Sequence, residues 1–485
     1  MRTFSFTLPL FLSMLALPSL ALADTLEVGP GKPYAKPCEA IAAAKANDTI
    51  AIAAGTYTDT CAVNTAGLTI KGVGGRPKID LSSGTPAQQK GIYVILADGV
   101  TVENLELTGA HIDTNSGENG AGIRVQATNF TVRGCFIHDN QNGILGSPLS
   151  PGGSITIETS ELSGNGQGNG CDDGNGCTHN LYLGPNFDKV VFRYNWSHHL
   201  ATDAPDKGHL FKSRAQQNLI SYNRFTAEGD TDSYEVELPQ GGLAVLVGNL
   251  IEKGTMSGNP SLFAYGKEGL SNGDNRVFVV NNTFVNHLGK GTFIDIAGGA
   301  PLVAHNNLFV GMGAPSSTGA LPADNLALAD AKLADEASYD YHLLLGSPAI
   351  DQGVDPGLAD ALSLVPTEEY QHPAGHAARP VDAKLDVGAY EYGVSPGTGG
   401  GGTTGSGGGT TGSGGSGGSS ATGGGSAAGT TGSGGSADTG QAGCSCRSVK
   451  TEEPLPFPAL GLLFTGGLVI MGRRGGRARR RRMEA

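Results

Sequence analysis

The chain has 485 residues, 16% of them charged and 38% hydrophobic, with 78 glycines and a formal net charge of −13 at pH 7. Setting aside Arg2 at one end, and seven arginines less Glu484 beyond residue 472 at the other, residues 24–472 carry −20. Such a field attracts no nucleic acid, and an acidic polysaccharide would have to be held by local cations or a bound metal.

Residues 1–23 combine Arg2, an apolar run over 4–22 and Ala21-Leu22-Ala23, with small residues at 21 and 23, before Asp24. This is the pattern of a secretory signal peptide cleaved after Ala23, and it predicts a secreted or cell-surface protein. In an exported chain cysteines pair, and the economical pairings are Cys38 with Cys61 and Cys171 with Cys177. The second pair would clamp a polar loop. Cys135, within "TVRGCFI", is left as a buried apolar residue.

Residues 24–393 are read as one domain. Only "PCEAIAAAKAND", near residue 37, has the pattern of a short helix; the rest reads as short strands broken by Gly, Asn and Asp. Alternating strands end repeatedly in an Asn pair or its equivalent, as in "KVVFRYNWSH", "NLISYNRFTA", "RVFVVNNTFV" and "PLVAHNNLFV". The asparagines Asn195, Asn223, Asn249, Asn282 and Asn307 fall 28, 26, 33 and 25 residues apart. That spacing is the period of a coil, not of a hairpin or a β-sandwich. One coil cannot bury its own apolar face, whereas stacked coils share a continuous core. Gly and Asn supply left-handed corners, and stacked Asn side chains can bond from coil to coil. The fold class is therefore all-β, a right-handed parallel β-helix with a short N-terminal capping helix.

The opening "LEVGPGKPYAKPCEAIAAAKANDTIAIAAGTYT" and the closing "GSPAIDQG" and "DVGAYEYG" resemble the ends of exported members of the pectate-lyase-like right-handed β-helix superfamily. The resemblance covers about residues 25–393. It implies the fold, but lyases, hydrolases, epimerases and adhesins share that fold.

Four segments, "HNLYLG", "GHLFKS", "YEVELP" and "TFIDIA", can be laid over one another as equivalent strands. Leu181, Phe211, Val236 and Ile294 then point inward, and Tyr182, Lys212, Glu237 and Asp295 outward. One pleat away stand Asn180 and Glu235. Adjacent strands lie about 4.8 Å apart, so the outward residues form one row of phenol, ammonium and carboxylate. Long irregular insertions flank the same coils and would wall a cleft. An outward lysine should contribute little to folding, so the bland reading is a solvated face with a weak Lys212–Glu237 ion pair.

β-Elimination of a uronate needs neutralisation of the carboxylate, a base for the α-proton and help for the leaving oxygen. Lys212 is the candidate base or charge stabiliser, with Tyr182 or His209 as proton donor or alternate base and Arg214 as carboxylate clamp. Asn180, Tyr234, Glu235 and Asp295 are candidate substrate contacts. Glu235, Glu237, Asp172 and Asp173 offer hard oxygen ligands for calcium, and no organic cofactor is expected. "LFKSRAQQNLISYNRF" is similar to the lysine-bearing strand of β-helical alginate and chondroitin lyases, which implies that the family's catalytic lysine falls on Lys212. The glutamates and the arginine that accompany that lysine in the family have no aligned residue here. Glu235 and Glu237, about 6.6 Å apart on one face, keep an inverting glycoside hydrolase open. Uronate epimerisation shares the first proton abstraction, and a non-catalytic glycan-binding or adhesion role is the third class. The expected partner is a polysaccharide, taken by a monomeric catalytic domain.

Residues 394–443 are almost entirely Gly, Ser, Thr and Ala and read as a flexible linker. Residues 444–485 hold Cys444 and Cys446, an apolar segment over 455–471 and the arginine cluster. This tail resembles the C-terminal sorting signals of myxobacterial surface proteins, which implies attachment to the cell envelope, including the outer membrane.

Overall fold

The computed structural model describes residues 23–113, 119–166, 179–201, 208–229, 231–380 and 384–393. The expected signal peptide, linker and sorting tail, and Cys171, Asp172, Asp173 and Cys177, lie outside the described residues.

The chain winds through three parallel sheets, giving one strand to each per turn. The first sheet has eleven strands, from Thr25–Val28 to Leu302–His305, and the second has eleven, from Thr56–Tyr57 to Leu326–Leu328. The third has ten, from Cys61–Val63 to Ala314–Ser316. This is the expected β-helix. Inward side chains of all three sheets merge in one apolar column that includes Leu181, Phe211, Val236, Phe263 and Ile294, each with no exposed surface.

The helix Pro37–Ala43 closes the N-terminal end of that column with Ala40 and Ile41. Pro37 opens it, where a missing N–H costs nothing, and the Glu39 carboxylate accepts from the N–H groups of Ala35 and Lys36 at 3.1 and 3.2 Å. Cys38 is disulfide-bonded to Cys61, tying the cap to the first strand of the third sheet. Cys135 is a buried free thiol, and burial pushes its pKa up to about 11.

The recurring asparagines stand at the corner between the first and second sheets. Asn195, Asn223, Asn249 and Asn282 each donate from Nδ2 to Oδ1 of the ladder asparagine in the next coil, at 3.1, 3.0, 2.9 and 3.0 Å, and Asn307 continues to Asn325 at 2.8 Å. The same oxygens accept the backbone N–H of the preceding coil's asparagine. Each corner is thus satisfied without water, as a fully buried backbone requires. The residue before each ladder position is left-handed, and at two corners it is a tyrosine, Tyr194 (φ 61°) and Tyr222 (φ 54°), where Gly or Asn was expected. Their rings stack at 5.9 Å, and His376 stacks on Tyr194 at 3.9 Å. His376 belongs to a C-terminal segment that returns along the outside of the solenoid. Within that segment, the Thr367 N–H donates to Tyr222 Oη at 3.1 Å and the Gly388 N–H to the Asn306 carbonyl at 2.8 Å.

Candidate active site

The outer face of the third sheet carries the expected row, with one coil inserted. Tyr182 pairs with Lys212 and Lys212 with Glu237, but Glu237 pairs with Ala264, and only Ala264 pairs with Asp295. Asp295 therefore stands two strands from Glu237, about 9.6 Å, instead of next to it. It is held there by Lys267 at 2.5 Å and Ser261 Oγ at 2.8 Å.

A second column runs beside the row, three residues earlier in each coil: His179 before Tyr182, His209 before Lys212, Tyr234 before Glu237. The His179 and His209 rings lie 4.8 Å apart, and the His209 and Tyr234 rings 5.2 Å apart. His179 Nδ1 accepts the His209 backbone N–H at 3.0 Å, which leaves the proton of a neutral His179 on Nε2. The three-residue offset shared by these coils was the available signal for His179, which the sequence reading passed over.

Lys212 is central, and it is enclosed, not solvated. Its Nζ lies 2.8 Å from Glu237 Oε2, and His209 Nε2 lies 3.0 Å from the same oxygen. The lysine and histidine side chains are 1% exposed and that of Glu237 is 5% exposed. The expectation of an outward lysine with little folding role is thus corrected: the alternation is right, but surrounding chain covers the side chain. Burial alone would raise the Glu237 carboxyl, yet the neighbouring His209 and Lys212 bring it down to about 2, so it is an anion at any working pH. Burial drives His209 below the ordinary histidine value, and burial with nearby His209, Lys212 and Arg214 drives His179 well below it. Both imidazoles are neutral near pH 7, so Lys212 is the charge that pairs with Glu237. His209 Nδ1 is buried with no hydrogen-bond partner among the described residues.

Arg214 keeps the outward phase past the end of its strand. Its Nε donates to Tyr182 Oη at 2.9 Å and its two terminal nitrogens grip Glu268, one at 2.8 Å. Glu268 also lies 3.9 Å from Lys212 Nζ. Burial would lower the Arg214 pKa, but the bonds to Glu268 and Tyr182 raise it further. Glu268 sits 54 residues along the chain, in a turn two coils away, where no local pattern reveals it. The Tyr182 and Tyr234 rings are half-buried, so each keeps an exposed edge beside the enclosed charges.

Two expected site residues belong elsewhere. Asn180 is wholly buried inside the coil: its Nδ2 reaches the carbonyls of Leu162 and His198 at 3.1 and 2.8 Å, and its Oδ1 accepts from Asn165 at 2.9 Å. It precedes the regular strand, where alternation no longer dictates direction. Glu235 likewise precedes its strand and turns away to Lys253 Nζ at 2.9 Å. Burial and nearby Asp232 raise its pKa well above the carboxylate range. Glu235 and Glu237 are therefore not a facing pair, whether for two-carboxylate hydrolysis or for calcium. Each is engaged by its own lysine, and among the described residues no group of three or more His, Cys, Asp or Glu converges to hold a metal.

The architecture defines the class: residues 66–249 match the family model described as the right handed beta helix region. No curated protein matches the chain by sequence. Among solved structures, the pectate lyase Pel9A is similar over 77% of this chain and 97% of its own, with 15% identity and a TM-score of 0.55. An alginate lyase from Paenibacillus sp. str. FPU-7 aligns over 63% of this chain and 97% of its own, with 16% identity and a TM-score of 0.43. At such identities the likeness speaks for the fold alone.

Proposed function

We propose that this protein is an exported polysaccharide-acting enzyme that cleaves a uronate-containing glycan by β-elimination on the outer face of its third sheet. The observation that carries the reading is Lys212, an enclosed ammonium between an obligate carboxylate and a neutral imidazole, beside a tyrosine whose oxygen is held by Arg214. Taking a lysine and a glutamate out of water is costly, and a solenoid face has no folding need for it. The Cys38–Cys61 disulfide suits an oxidising compartment.

In this reading the cations of Lys212 and Arg214 meet the uronate carboxylate and stabilise the charge that develops as the α-proton leaves. His209, neutral through burial, has its Nε2–H facing the Glu237 carboxylate and takes the α-proton on Nδ1. Tyr182 accepts from Arg214 Nε, which leaves its O–H proton to donate to the departing glycosidic oxygen. The half-buried rings of Tyr182 and Tyr234 offer apolar edges for sugar faces.

The test is the ultraviolet absorbance of an unsaturated uronate, followed while the purified protein acts on polygalacturonate, alginate and chondroitin. A rise on at least one of them is the expected result. New reducing ends without that chromophore would replace elimination by hydrolysis, and binding with no product would make the chain a glycan-binding module.

A further inference from the structure

The row through Lys212 continues toward the N-terminus. Lys212 pairs with Tyr182, Tyr182 with Leu145, and Leu145 with Arg124 on the strand Ala121–Val125. The flanking Ile123 and Val125 are wholly buried in the core column, so Arg124 points outward on the same face as Lys212. Three strand spacings separate them, about 14 Å along the face.

Arg124 differs from the cations around Lys212. Lys212 has Glu237, Arg214 has Glu268 and Lys267 has Asp295. Arg124 makes no ion pair or hydrogen bond among the described residues, and its Nη1 is buried without a partner. Burial, with no opposing carboxylate, lowers its pKa. On the same face Lys90 donates from Nζ to Gln126 Oε1 at 3.4 Å, two residues beyond Arg124, again with no carboxylate in reach among the described residues. Arg124 is half-buried, and covering part of a guanidinium without an anion is unfavourable by itself, while a forked planar donor matches a carboxylate. Among the described residues no carboxylate forms an ion pair with Arg124, although the chain as a whole is net negative.

We propose that Arg124, assisted by Lys90 and Gln126, forms a distal subsite for a uronate carboxylate of the same glycan chain that lies over Tyr182 and Lys212. The proposal rests on the polysaccharide reading and deepens it: the substrate is a polyuronate long enough to span three coils, gripped at its far end by a charge the protein leaves open. Binding at this subsite breaks no bond.

The experiment compares the wild-type chain with Arg124→Gln by calorimetry against short and long oligomers of galacturonate and of mannuronate, and by thermal unfolding without glycan. Wild type should bind long oligomers at least tenfold more tightly than short ones. R124Q should lose most of that gain, and R124K should recover part of it. Without glycan, R124Q should unfold at the same temperature as wild type or higher, because an unpaired, half-buried charge has been removed. A lowered unfolding temperature would mean that the guanidinium serves the protein, and would overturn the proposal. An undiminished length gain in R124Q, or a wild type that binds neither oligomer series, would overturn it too. Length-dependent binding that R124Q abolishes, with no cleavage by wild type, keeps the subsite while removing the elimination reading.

Discussion

Two buried lysine–glutamate pairs lie within neighbouring coils and keep different company. Lys212–Glu237 (2.8 Å) stands on the outer face of the third sheet; Lys253–Glu235 (2.9 Å) fills the corner between the second and third sheets. Both lysines are essentially without exposed surface. Lys253 is satisfied by the Ser233 carbonyl at 2.7 Å and is near Asp232 at 3.7 Å, and Asp232 in turn accepts from Ser257, so its partners are backbone and acids that hold a loop. Lys212, besides its acids Glu237 and Glu268, stands beside His209 and the half-buried Tyr182, with His179 against both of those rings and Arg214 bonded to Tyr182. Burial of charge alone therefore does not mark a site; the company of groups able to move a proton does.

The comparison can be broken by substitution. Lys212→Met should have the largest effect, lowering turnover on the substrate cleaved by wild type by a factor on the order of 10² or more. It should also destabilise by about 3–5 kcal/mol, because Glu237 is left buried and unpaired. Lys253→Met should destabilise less, by about 1–3 kcal/mol in chemical denaturation, because it leaves the buried Ser233 carbonyl and a Glu235 carboxyl of raised pKa without their donor. Its turnover per folded molecule should stay near wild type, and a matching fall in kcat would erase the distinction between the pairs.

Asn249→Ala probes the uncharged counterpart of both pairs. It orphans donors and acceptors on Asn223, Asn282 and Ile220, at about 1–3 kcal/mol for each buried group left unsatisfied. A stability loss of that order with unchanged KM places the ladder outside the site.

The smallest effect is in pH. His179 and His209 are held below their unfolded values, so the unfolded chain binds more protons and stability falls as pH drops below about 6.5. Glu252, raised by burial to about 7, has the opposite sign: the folded chain binds its proton more tightly, and that stabilisation is lost as pH rises from about 4.5 through 7. Denaturant midpoints should thus fall on the acid side through the histidines and on the alkaline side through Glu252 together with the likewise raised Glu235 and Glu391, and Glu252→Gln should reduce the alkaline slope while leaving the acid side unchanged. An unaltered alkaline slope in that variant would remove Glu252 as one of its sources.

Much of this was legible in the chain. The spacing from Asn195 to Asn307 marked the coils because each ladder asparagine must repeat once per turn to meet its neighbour. Strict alternation assigned Leu181, Phe211, Val236 and Ile294 to the core and Tyr182, Lys212 and Glu237 to the opposite face. The reading failed where local rules end. "SLFAY" places Ala264 in the outward row, so the coil between Glu237 and Asp295 carried no charged residue to announce it. Asn180 and Glu235 lie just before their strands, and their side chains go to inner and corner partners.

By itself, then, the sequence determined the solenoid and the phase of its strands, because period and alternation are local properties that each coil repeats. Only the tertiary structure decided that Lys212 is enclosed, that Glu268 closes on Arg214 from two coils away and that Arg124 has no counter-ion among the described residues. Each of those depends on which loop covers which coil, and a side chain's partners across stacked coils are set by packing in three dimensions, not by distance along the chain.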